Sequence, residues 1–266
     1  MSRWIAALIA VCLAVPCTAG TKILVTVVEK NSGRPVTDIK AEDFTVLDDR
    51  KERRVDSAEY STGPMDVMLL MDSGLLGGAV QPVADNLITQ LQPQEQMAIV
   101  AYHSSADLIQ DFTSSKNLLR RAVASVRFGN TPRALDALYA AIDGGFQAST
   151  FRRVVILLTT GVEGPSRMTE REVFRVARRN GVSIYPVYAA GQERSMFESL
   201  ARQTGGATFS LRDLQKESKE PPGPRIFEVM RGHYTLTLEG NLSLGNRIEV
   251  KVKRPEKLLV SGLPLD

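Results

Sequence analysis

Residues 66–74 read DVMLLMDSG, an unbroken apolar run closed by an aspartate and then by small residues. A half-exposed strand would alternate apolar and polar positions, and this one does not, so it fits a strand covered on both faces of a parallel sheet. The form returns at residues 152–161, RRVVILLTTG, and more loosely at 97–102 (MAIVAY) and 182–189 (VSIYPVYA). Segments of helical spacing lie between these runs. One ends near Leu91, before Pro93; one covers residues 114–126 with a serine as N-cap; one opens at Pro132 and ends at Gly144-Gly145. Two more run from Thr169 to Arg179, closed by Asn180-Gly181, and from Met196 to Gln203, ended by Gly205-Gly206. ADLIQDF (106–112) reads as a strand and ATFSL (207–211) as an edge strand. This alternation predicts an α/β class with a doubly wound, mostly parallel sheet over residues 64–215.

Working outward, residues 21–63 are β-rich: ILVTVV (23–28), an NSGRP turn, FTVLDD (44–49) and a weaker strand from Arg54 to Tyr60. An isolated hairpin is only marginally stable in water, so this segment needs a partner sheet. Residues 225–266 supply candidates in HYTLTLEG (233–240), RIEVKVKRP (247–255) and KLLVSG (257–262). The two ends of the chain are therefore expected to meet in a small β-sandwich. The polar tract KESKEPPGP (216–224) reads as a linker.

The first 20 residues place Arg3 ahead of an apolar run from Trp4 to Val15 and then small residues, the form of a secretory signal peptide. The expected location is periplasmic or extracellular, with no membrane span in the mature chain. Cys12 and Cys17 are the sole cysteines of the 266-residue sequence and both fall in this leader, so neither a disulfide nor a cysteine metal site is expected after cleavage. Pro16 makes Cys17 a poor lipid anchor. The formal charge of +3 is too small to suggest a nucleic-acid partner. Arg167, Arg171, Arg175, Arg178 and Arg179 cluster at helical spacing and read as a solvated helix face.

The central region resembles the von Willebrand factor A (VWA) family. The resemblance is carried in order by LLMDSG (69–74), GNTPRALDALYAAI (129–142), LLTTG (157–161), GVSIYPVYA (181–189) and LARQTGGATF (200–209). GRPVTDIKAEDFTVLDD (33–49) before this region, with GHYTLTL (232–238) and RIEVKVKRP after it, resemble the β extensions of bacterial exported VWA-related proteins. The resemblance implies a metal-ion-dependent adhesion site at the carboxyl ends of the strands, with the pattern Asp-x-Ser-x-Ser, a later threonine and a second aspartate. Such oxygen donors suit Mg²⁺.

Asp72 matches the first aspartate and Thr131 the threonine, whereas Gly74 and Leu76 stand in place of the serines and Thr160 in place of the second aspartate. The site is therefore expected to be degenerate. Asp72, Ser73 and Thr131 are its remaining candidate ligands, and no cofactor is expected. An alternative role for Asp72 is to accept N–H groups from its own loop, and for Thr131 to cap the helix at Pro132. Gly74, Thr160 and Gly161 mark loops expected to face a protein partner.

No GxSxG elbow, HExxH helix or P-loop occurs, and His103 and His233 lie in different regions. These observations lead to an exported protein-binding or scaffolding module rather than an enzyme. A Mg²⁺-dependent adhesion module is one alternative. A hydrolase using His103 with Ser104 and Asp107 is another.

Overall fold

Val67, Leu69 and Met71 enter one buried apolar cluster while Met68 and Leu70 enter another, so the strand that carries them is covered on both faces. The computed structural model describes residues 20–30, 32–147, 149–190, 192–240, 242–245 and 247–265. The expected leader, with Cys12 and Cys17, lies outside the described residues up to position 19.

In chain order the strands are β1 (Lys22–Glu29), β2 (Phe44–Asp48), β3 (Lys51–Arg53), β4 (Val55–Thr62), β5 (Met65–Asp72), β6 (Gln96–Tyr102), β7 (Ala106–Thr113), β8 (Arg152–Thr159), β9 (Val182–Tyr188), β10 (Phe209–Ser210), β11 (Gly232–Leu238), β12 (Ile248–Val252) and β13 (Leu258–Leu265). The helices are α1 (Gln81–Thr89), α2 (Lys116–Ser125), α3 (Ala134–Gly144), α4 (Glu170–Arg179), α5 (Arg194–Gln203), α6 (Leu211–Glu217) and α7 (Gly223–Arg231).

The central sheet has the order β10-β9-β8-β5-β6-β7. Its strands pair in parallel except β7, which joins β6 antiparallel at the edge. Helices α1, α2 and α7 cover one face, and α3, α4 and α5 cover the other. This is the doubly wound α/β arrangement that the alternating runs predicted, and β5 stands at its centre with β8 and β6 as neighbours.

The terminal segments form two antiparallel sheets, β13-β1-β11-β4 and β12-β2-β3. In β11 alternate residues Tyr234, Leu236 and Leu238 point into the space between the sheets and meet Ile23, Val25, Phe44 and Val46. The two ends of the chain thus build one small sandwich around a shared core. Val28 and Leu259 extend it into the central cluster, and Thr26 Oγ1 donates to the Gly205 carbonyl at 2.8 Å.

Two local expectations are corrected. Of the tract 216–224, only residues 218–222 lie outside helix, because α6 runs to Glu217 and α7 begins at Gly223. Proline is compatible with a first helical turn, where no N–H partner is required, and Ile226, Phe227, Val229 and Met230 of α7 are buried. The helix expected to open at Pro132 begins at Ala134. Among the described residues no helix is long and apolar enough to cross a membrane.

Candidate functional site

Strand β5 ends at Asp72 beside the end of β8, which delivers Thr159 and Thr160 to the same rim of the sheet. Asp72 is fully buried. Its Oδ1 accepts the Gly74 amide at 2.8 Å, and its Oδ2 accepts the Thr160 amide at 3.0 Å and the Thr160 hydroxyl at 2.6 Å. A buried carboxylate is tolerable when several donors surround it, and here those donors come from the chain itself. Thr160, which stands where the pattern has aspartate, bonds Asp72 Oδ2 through both its amide and its hydroxyl.

Ser73 is fixed through its backbone, with its amide on the Tyr102 carbonyl and its carbonyl receiving the Gly129 amide, both at 2.8 Å. Its hydroxyl is buried without a hydrogen-bond partner among the described residues. Burial first, and then the Asp72 charge, hold the Tyr102 hydroxyl well above its ordinary pKa. Gly74 fits a tight space, since a Cβ there would sit 3.0 Å from Asp72 Oδ1 and 3.0 Å from Pro132 Cδ. Gly161 has φ of +98°, and a Cβ on it would lie 2.0 Å from the Ala190 carbonyl oxygen. Only glycine accommodates that approach.

Thr131 is exposed on the rim and does not cap α3. Glu163, 29 residues from Ala134 in sequence, takes that role: its carboxylate accepts the Ala134 amide at 2.7 Å and the Leu135 amide at 3.3 Å. Ser166 donates to the same carboxylate. Burial raises the Glu163 pKa, and these three donors oppose the rise. In the same first turn, Asp136 accepts the Arg167 and Met168 amides at 2.8 Å each, so the loop after β8 is strapped to α3 at two points. No local pattern in GVEGPS (161–166) marks Glu163 for this role.

A crevice of about 170 Å³ opens above Asp72, lined in part by Leu75, Leu76, Asn130, Thr131 and Val162. Gly74, Thr160 and Gly161, expected to face a partner, are buried. The outward surface belongs instead to Leu75, 80% exposed, and Leu76, 67% exposed, with Phe128 nearby at 39%. The residues fit a divalent ion poorly. Asp72 is the one carboxylate lining the crevice, both its oxygens accept internal hydrogen bonds, and Gly74 and Leu76 offer no side-chain oxygen.

His103 Nδ1 lies 2.9 Å from Ser104 Oγ, while the Asp107 carboxylate accepts the Ser105 hydroxyl at 3.0 Å. Asp107 therefore does not orient the His103 ring, and the relay drawn from sequence is not assembled. His233 sits in β11 of the terminal sandwich.

No family model matches the chain, and no curated protein matches it. Among solved structures, proximal thread matrix protein 1 from the mussel byssus, in a form with a zinc-occupied MIDAS motif, is similar over 69% of this chain and 50% of its own. The TM-score is 0.55 at 16% identity. The central unit has the VWA-type fold. A second crystal form of the mussel protein matches at 0.54 and 16% identity, covering 66% of this chain and 49% of that one. BatB from Bacteroides thetaiotaomicron gives 0.43 at 13% identity over 59% and 99%. The chain thus spans about half the length of the mussel protein that shares its VWA-type fold.

Proposed function

We propose that this chain is an exported VWA-type protein-binding module whose adhesion site works without a metal. The supporting observation is the capping of Asp72 by Thr160, which uses the carboxylate as an internal anchor for the loops. Leu75 and Leu76 then form an apolar rim around the crevice. An exposed apolar pair on loops held by a rigid sheet is the surface a protein partner would cover. In this reading the domain has no catalytic role, and the partner contacts Leu75, Leu76, Asn130 and Thr131.

The test is cross-linking from position 131, exposed on the same crevice, in the native cell envelope, with and without the Leu75→Asp/Leu76→Asp substitutions. The reading expects one dominant cross-linked protein and its loss in the variant, with the melting temperature unchanged. Cross-links that persist in the variant would refute it.

A metal-dependent adhesion module using Asp72, Ser73 and Thr131 has one observation in its favour. The Ser73 hydroxyl is buried and without a partner among the described residues, beside Asp72. A divalent ion binding Asp72 through Oδ2 would have to displace the Thr160 hydroxyl.

A further inference from the structure

The terminal sandwich is not closed along β12. That strand pairs with β2 on one side, and among the described residues no strand pairs with it on the other. The Asp49 amide bonds the Arg247 carbonyl and the Lys253 amide bonds the Asp43 carbonyl, each at 2.9 Å. In an antiparallel ladder the bonded residues alternate, so the odd-numbered residues of β12 face β2. The amides and carbonyls of Ile248 and Val250 then point away from it.

They point into a cleft of about 710 Å³ between β12, β13 and α5. All five residues of β12 line this cleft, which is how a strand presents its edge; a strand presenting one face would contribute alternate residues. The cleft shares Gln203, Ile248 and Gly262 with a second cavity of about 450 Å³ along α4, and together they form a trough along the strand.

Charge distinguishes the trough from an ordinary groove. Arg171 and Arg175 line the α4 end, and Arg202, Arg247 and Lys30 line the β12 end, with no ion pair to any of the five among the described residues. Of the three acids lining the trough, Glu198 is paired with Arg194 at 2.9 Å and Glu249 with Lys251 at 3.4 Å, while Glu256 forms no ion pair among the described residues, so the five free cations outnumber the free acid. The helix face read from sequence as solvated is exposed at Arg171, Arg175 and Arg179, and it also forms one wall of a basic trough that ends on a free strand edge.

We infer that the trough between α4, α5 and the open edge of β12 binds an extended acidic polypeptide segment of a partner protein, added to β12 as a further strand. Main-chain bonds to Ile248 and Val250 supply the pairing, and the uncommitted arginines select acidic side chains. Exposed strand edges are templates for such addition unless they are covered or blocked. This surface is separate from the Asp72 crevice, and neither reading depends on the other.

Fluorescence anisotropy of the protein with a labelled Glu-Val repeat peptide of about ten residues tests the inference. Binding is expected to be at least about tenfold tighter than to a Glu-Pro repeat of equal charge, which cannot pair along its length. Arg171→Glu with Arg175→Glu is expected to weaken it at least about tenfold, and added salt to weaken it further. Ile248→Pro removes one outward amide and is expected to abolish binding. If that variant does not fold, slowed hydrogen exchange at the Ile248 and Val250 amides of the unaltered protein on adding peptide reads out the same pairing. Equal binding of the Glu-Pro peptide, displacement by oligothymidylate at equal affinity, occupation of the edge by a second copy of the chain, or no binding at about 1 mM would each overturn the inference.

Discussion

Asp72 binds the ends of two central strands, and its removal has a definite cost. Asp72→Ala would leave the Gly74 and Thr160 amides and the Thr160 hydroxyl buried without an acceptor. The expected loss is about 2–4 kcal/mol in urea unfolding, and a loss within error of zero would contradict the anchoring role. Thr160→Val removes one of these donors and keeps the shape, so its expected cost is nearer about 1 kcal/mol by the same measurement. At Gly161 the backbone conformation and the approach of the Ala190 carbonyl leave no space for a side chain. Gly161→Ala is expected to cost more than about 3 kcal/mol or to prevent folding, read by circular dichroism and urea titration.

Among the elements, helix α3 shows how a loop is held to the site. Glu163→Ala frees the first amides of α3 and is expected to cost about 1–2 kcal/mol, with faster hydrogen exchange confined to the start of that helix. The strands were legible in the sequence because burial on both faces leaves an uninterrupted apolar run, as in Met65–Asp72 and Arg152–Thr159. The serine cap expected at the start of residues 114–126 was legible for a different reason, since a cap within three residues of its helix is a local signal, and the structure places it at Ser115. Glu163 was not, because its partners lie 28 and 29 residues away and only the fold brings them together. The first turn of α7 was hidden by its prolines, which read as linker until packing decides otherwise. Asp72 and Thr160 stood out by their positions in the family pattern. That their side chains bond each other depends on side-chain geometry the pattern does not contain.

Across the whole molecule, the sandwich joins the first and last strands, and its protonation state contributes to stability. His233 in β11 is held to about 4, below its ordinary 6.5, by burial first and then by the Arg152 charge. A histidine whose folded pKa is depressed favours the folded state in its neutral form. Its contribution is therefore complete above pH 6.5 and is lost as pH falls from 6.5 through about 4. His233→Gln is expected to flatten that part of the stability curve by an amount on the order of 1 kcal/mol, with screening of a partly exposed ring included. The meeting of the two chain ends could be expected from unpartnered strand runs at both termini, whereas the open edge of β12 depends on the strand order and was not visible in sequence. Whole-molecule stability also reports on the crevice, because a ligand that binds only the folded state at 100 times its dissociation constant adds about 2.7 kcal/mol. The decisive measurement is thermal unfolding of the protein titrated with Mg²⁺ and Mn²⁺, run in parallel on Asp72→Asn. The metal-free account predicts flat titrations for both proteins, and a metal-dependent rise in melting temperature that disappears in Asp72→Asn would contradict it.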